Sequence, residues 1–84
     1  MAMYHLMGIL IQKRKETSSR VQEVLSEHGC LIKVRLGLHE AGDVCSEEGL
    51  VVLQLVGPTE EIDELYADLN VIDGVLAEQM TLGT

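Results

Sequence analysis

The sequence predicts an α+β fold in which two helices pack on one face of a four-stranded antiparallel sheet. The apolar pattern changes between strand-like and helix-like spacing in the order β-α-β-β-α-β. Its two β-α-β halves form a weak structural repeat. The first and third predicted strands are apolar on both faces, whereas the second and fourth each have a polar face. These observations together predict a ferredoxin-like βαββαβ sandwich with strands one and three in the centre.

The first predicted strand runs from Tyr4 to Ile11, because both alternate faces of this segment are apolar. The polar segment 12–20 leads into a helix that ends at Gly29, a residue that favours helix termination. Ser19 with Gln22 fits a capping box at its start, and Thr17 or Ser18 could cap it equally well. Its core-facing stripe, at spacings of three and four, consists of Val21, Val24, Leu25 and His28.

The second predicted strand runs from Cys30 to Leu38 and alternates between apolar and polar residues. One side carries Ile32, Val34, Leu36 and Leu38, and the other carries Lys33, Arg35 and Gly37. Such a pattern is typical of an edge strand with one face in water. Cys30, at the start of this strand, is expected to be a small buried apolar group.

The third predicted strand, Leu50 to Val56, is almost entirely apolar and should be central. Gly57 to Glu61 is a strong helix start, because proline fits a first turn and acidic side chains complement its free N–H groups. We expect Asn70 to end this helix in a left-handed conformation. Asp73-Gly74 then turns the chain into a last, half-polar strand from Val75 to Leu82.

The composition limits the class of protein. At 84 residues and 9.2 kDa, we expect one domain over 1–84, and a hydrophobic content of 46% excludes a disordered chain. The apolar segments are far shorter than the roughly 20 residues that span a bilayer, so no membrane association is expected. A net charge of −8 disfavours direct nucleic-acid binding. The basic segment 13–15 follows an apolar one, the reverse of a secretory signal, so we expect a cytoplasmic protein.

The predicted layer arrangement leaves one side of the sheet without a partner. Two helices cover one face, whereas the central strands are apolar on both. We therefore expect a homodimer or homotetramer that forms either sheet to sheet or edge to edge.

Two groups of residues are candidates for ligand binding. Lys13, Arg14 and Lys15 lie at the turn before the first helix, where free N–H groups and basic charge can hold an anion. Arg35 is a further candidate for the same ligand. The alternative is a solvated basic turn.

A metal site is the second possibility. The candidate ligands are His28, Cys30, His39 and Cys45, because imidazole and thiolate suit transition metals. The connection 39–49 is long for a hairpin and holds two of them. No compact metal-binding motif occurs, so a solvated acidic loop is the alternative. No Ser-His-Asp arrangement or Gly-rich phosphate loop is recognisable, and we do not expect an enzyme.

Three segments resemble a known family: 8–11, 32–37 and 65–75. The chain is similar to the iron-only hydrogenase system regulators, small proteins with an ACT-like, ferredoxin-like domain related to the C-terminal domain of the nickel-responsive repressor. The resemblance covers nearly the whole chain and implies regulation by a homo-oligomer without its own DNA-binding domain, with a partner in hydrogenase maturation or its regulation. Asp68 and Glu78 stand where the family usually has lysine.

Overall fold

The computed structural model describes residues 3–12, 14–38 and 48–84, with the side chains of residues 14, 15 and 38 left aside. Within these ranges the elements alternate as the sequence predicts, with one additional 3₁₀ turn. In chain order they are β1 (Met3–Ile11), α1 (Arg14–Glu27), a 3₁₀ turn (Gly29–Leu31), β2 (Ile32–Leu38), β3 (Gly49–Leu55), α2 (Thr59–Asn70) and β4 (Val75–Gly83).

The four strands form one sheet in the order β2-β3-β1-β4, and every neighbouring pair is antiparallel. The predicted α+β sandwich and its central and edge strands are therefore confirmed. Ile9 lies at the middle of the sheet, with Val51 of β3 on one side and Ala77 of β4 on the other. The central position of β1 agrees with its apolar residues on both faces.

The core lies between the sheet and the two helices and is aliphatic. β1 contributes Met7 and Ile9, which are fully buried, and β3 contributes Leu53. The helices contribute Val21, Val24, Leu25, Ile62, Leu65 and Leu69. The stripe predicted for α1 is thus confirmed for its three apolar members. Each such side chain stabilises the fold by about 1.5 to 3 kcal/mol through its removal from water.

The face assignment for β2 is wrong in one respect. Ile32 lies opposite Leu55 on the helix-covered side of the sheet, whereas Val34 lies opposite Gln54 on the other side. An irregularity in the pairing between Ile32 and Val34 changes the side that the following residues face. As a result Val34 and Leu36 face away from the helices and are about half exposed, at 49% and 53%.

The start of β2 also differs from the prediction. Cys30 lies in the 3₁₀ turn before the strand, and it is exposed rather than buried. Leu31 takes the buried position at the end of this turn. Its carbonyl oxygen accepts a hydrogen bond of 2.8 Å from the N–H of Val56, which joins the turn to the end of β3.

The second helix begins as predicted but ends by a different device. Pro58 occupies the N-cap, and its carbonyl oxygen accepts the N–H groups of Glu61 and Ile62 at 3.1 and 3.2 Å. No residue other than glycine has a positive φ among the described residues, so Asn70 is not left-handed. Gly74, in the turn before β4, adopts the left-handed conformation instead, with φ of 83°.

No helix in the described ranges is both long enough and apolar enough to cross a membrane.

Candidate functional site

The side of the sheet opposite the helices carries an apolar surface, here termed the uncovered face. Its exposed apolar members, on all four strands, are Tyr4, Val34, Leu36, Leu50, Leu76, Met80 and Leu82. Their exposed fractions lie between 40% and 55%. Leu6, Leu10 and Val52 are half-buried and lie between them, and the half-buried Gln54 is a polar residue of β3 on this face. A continuous apolar surface of this kind marks an interaction site more often than a solvated one.

In the middle of the uncovered face, a glycine leaves open space, and few charged side chains surround it. Gly8 lies between Val52 of β3 and Glu78 of β4. A Cβ atom placed on Gly8 would meet nothing within 4 Å, so the space above it is open. Among the described residues of this face, one carries a charge: Glu78, which lies on the edge strand β4.

A second feature joins the two helices. His28 follows α1, and its Nε2 lies 2.9 Å from Oδ2 of Asp68 in the last turn of α2. The side chains are 14% and 44% exposed, so the contact is partly shielded from water. Neither helix has a basic residue in its last turn. The imidazole therefore lies where a donor or positive charge offsets the negative end of a helix dipole.

Glu27 adds a carboxylate oxygen to this pair as a third possible ligand. One donor atom from each of Glu27, His28 and Asp68 lies within 4.8 Å of the others, which is the one such group of three or more among the described residues. Glu27 is also 3.9 Å from the guanidinium of Arg20 and is 60% exposed. A cation at this position would therefore compete with Arg20 for that carboxylate.

Of the predicted metal ligands, His28 is the one that belongs to this group of described residues. Cys30 is not a member of it. His39 and Cys45 lie outside the described residues, so their role stays a prediction. Sequence reasoning missed Asp68, which is 40 residues from His28. The available signal was the replacement of a basic residue of the family by an acid at this position.

Of the four predicted anion ligands, the structure describes the side chain of Arg35. Arg14 is the first residue of α1. The side chains of Arg14 and Lys15 and the whole of Lys13 lie outside what the structure describes, so their role in anion binding stays a prediction. Arg35 lies opposite Leu53 on the helix-covered side and donates a 2.7 Å hydrogen bond to Oε1 of Gln22 in α1. Gln22 is about 12 Å along the helix axis from Arg14 at 1.5 Å per residue. Arg35 is thus held away from the start of α1.

No protein-family model and no curated protein matches the sequence. Solved structures do match. An uncharacterized protein from Thermotoga maritima has a TM-score of 0.83 at 20% identity, over 98% of this chain and 100% of that one. A proposed PII-like signaling protein from Thermus thermophilus has a TM-score of 0.66 at 14% identity, over 96% of this chain and 88% of that one.

A third structure is CPII, a nitrogen regulatory PII-like protein from Thiomonas intermedia, solved with ADP, AMP and bicarbonate bound. Its TM-score is 0.60 at 12% identity, over 99% of this chain and 93% of that one. At these identities the likeness is one of fold. The chain thus has an α+β ferredoxin-like fold of the kind that these proteins share.

Proposed function

We propose that this protein is a regulatory, ligand-sensing module that acts as a homodimer or homotetramer and has no catalytic activity of its own. The observation that carries the proposal is the uncovered face, since a small domain with a broad apolar surface works by association. The fold that it shares with PII-like signaling proteins supports a sensing role. The sequence resemblance gives hydrogenase maturation or its regulation as the setting of the protein partner.

The proposed ligand is a small anion or a nucleotide. CPII was solved with ADP, AMP and bicarbonate, and the start of α1 offers Lys13, Arg14 and Lys15 on a chain with few basic residues. The free N–H groups of a helix start and adjacent positive charge suit phosphate and carboxylate groups alike. Arg35 belongs to a separate position on the sheet, where its guanidinium is held by Gln22.

Isothermal titration calorimetry with ADP, AMP and bicarbonate tests this proposal. We expect at least one of the three to bind, and the triple variant Lys13→Ala, Arg14→Ala, Lys15→Ala to bind it at least about tenfold more weakly, since each lost charged hydrogen bond costs about 1.5 to 3 kcal/mol. Arg20→Ala is the matched control, because Arg20 pairs with Glu23 at 2.9 Å within α1. Binding that is equally weakened by both variants, or absent in the wild type, would contradict the ligand class.

A second candidate function, metal binding, is favoured by the group of Glu27, His28 and Asp68. Two ligand atoms on one tetrahedral Zn²⁺, each at about 2.0 to 2.1 Å, lie about 3.3 to 3.4 Å apart. The distance between Nε2 of His28 and Oδ2 of Asp68 is 2.9 Å, which is the length of a hydrogen bond. To share an ion, the pair would have to open by about 0.4 Å and give up the proton of that hydrogen bond.

Zinc titration followed by mass analysis of the metal content tests this second candidate. We expect stoichiometric zinc in the wild type and its loss in His28→Ala. His5→Ala is the control, because His5 lies on β1, where its Nδ1 is 3.4 Å from the hydroxyl oxygen of Thr81. Retained zinc in His28→Ala, with loss in the double variant His39→Ala, Cys45→Ala, would move the site to the other predicted ligands.

A further inference from the structure

We infer that the uncovered face is the self-association surface, and that a second copy of this chain packs on it sheet to sheet rather than along a strand edge. The inference rests on the proposed function, to which it adds the surface and the occupant. From the sequence, self-association through the face and self-association through a strand edge are both possible. The structure favours the face, because features at both edges of the sheet oppose pairing with another strand.

The edge at β4 is already occupied near its start, at the third of its nine residues. The side-chain amide of Asn70 accepts the N–H of Ala77 at 2.8 Å and donates to the carbonyl oxygen of Ala77 at 3.2 Å. A side chain that takes both backbone groups of one residue fills the place that a neighbouring strand would take. A second copy would have to displace Asn70 in order to pair along the whole of this edge.

The edge at β2 is protected differently. The pairing with β3 is irregular between Ile32 and Val34, and an irregular strand is a poor template for a new one. Lys33 and Arg35 also lie on this strand and are exposed. Charged side chains and bulges are the devices that keep edge strands from pairing with other chains.

The uncovered face, in contrast to the edges, is broad and mostly apolar. It spans four strands of seven to nine residues. At about 4.8 Å between strands and 3.3 Å per residue, its flat area is about 500 Å², so two facing copies remove about 1,000 Å² from water in total. That area reaches the lower limit of about 1,000 Å² for a biological interface, and side chains at the rim add to it.

The charge distribution favours a second copy as the occupant. The chain carries a net charge of −8, so copies repel each other where their acidic surfaces meet. Among the described residues of the face, Glu78 carries the charge; it lies on the edge strand β4, beside Gly8 of β1. The centre of a protein interface is usually depleted in charge, as the other strands of this face are. Two such faces are complementary to each other without a further partner.

Sedimentation equilibrium on the wild type and three glutamate variants tests this inference. Gly8→Glu places a charge at the centre of the face, where a new Cβ meets nothing within 4 Å. Leu76→Glu places one on the same face, at a side chain that is 51% exposed. Val71→Glu is the control, because Val71 is 80% exposed and follows α2 rather than lying in the sheet.

We expect both face variants to raise the dissociation constant at least about 100-fold, because an unpaired charge buried in an interface costs several kcal/mol, and Val71→Glu to leave it unchanged. Circular dichroism establishes that each variant is folded. Assembly that survives both face variants would overturn the inference and leave the homo-oligomer standing. A monomeric wild type would overturn both.

Methyl NMR of the wild type gives a second reading that needs no variant. Met80 lies on the uncovered face and is 55% exposed, whereas Met7 is fully buried on the helix-covered side. We expect the Met80 methyl signal to shift on dilution and the Met7 signal to stay. A Met80 signal that is independent of concentration across the dissociation range would overturn the inference.

Discussion

At the scale of single residues, a glycine fixes the passage from the sheet to the second helix. Gly57 follows β3 with φ of 121°, a conformation that side chains with a Cβ rarely adopt. A Cβ placed there would lie 2.8 Å from Cδ2 of Leu31. Leu31 is buried, but Cδ2 is the end of its side chain and can shift. The backbone conformation is therefore the main reason for glycine at this position, and the close contact adds to it.

We predict that Gly57→Ala lowers the free energy of unfolding by about 1 to 3 kcal/mol, because the substitution adds backbone strain and a steric overlap. Urea denaturation measures the change. Gly37→Ala is the matched control, since its new Cβ would meet nothing within 4 Å in β2. Equal destabilisation by the two variants would contradict this account of Gly57.

His28 shows what the sequence does and does not disclose at this scale. Its spacing in the helical stripe predicts a side chain that points inward, and its side chain is only 14% exposed. Its partner Asp68 lies 40 residues further along the chain, and no periodic pattern encodes a contact between two different helices. Asp68 could be noticed only as an acid at a position that is basic in the resembling family.

At the scale of elements, the side chain of Asn70 attaches the end of α2 to β4. Its amide donates to the carbonyl oxygen of Tyr66 at 3.1 Å and pairs with both backbone groups of Ala77. These bonds satisfy backbone groups at a helix end and at a sheet edge together. Asparagine serves here through its amide rather than through a left-handed backbone.

We predict that Asn70→Ala destabilises the fold by about 1 to 3 kcal/mol, because backbone groups of Ala77 and Tyr66 lose their partner. Thermal unfolding measures the loss. Asn70→Asp is the informative comparison, since it keeps an acceptor for the Ala77 N–H and lacks the donor. Its carboxylate would face the carbonyl oxygens of Tyr66 and Ala77 at the negative end of α2, so it should be no more stable than the alanine variant. An alanine variant as stable as the wild type would refute this role.

Element order and strand position could be predicted from the sequence because they depend on local patterns. The apolar residues on both faces of β1 and β3 indicate the central strands directly. The sides of β2 could not be predicted, because the irregularity between Ile32 and Val34 exists only in the pairing with β3. The position of Arg35 beside Gln22 follows from that same pairing.

At the scale of the whole molecule, the two helices cover only one of the two faces of the sheet. The helices bury one side of the sheet, and the other side presents an apolar surface on all four strands. The sequence predicts this imbalance, since two helices cannot cover both faces. Our choice of the face over the edges rests on the structure, where Asn70 binds one edge and the irregular β2 forms the other.

The most direct test of the central claim is native mass spectrometry of the purified wild type without added ligand. The account predicts a dimer or tetramer, at a multiple of the 9.2 kDa chain mass, and additional mass on that assembly would give the ligand class. A bare monomer at micromolar concentration would contradict the account, because the uncovered face would then have no second copy in solution.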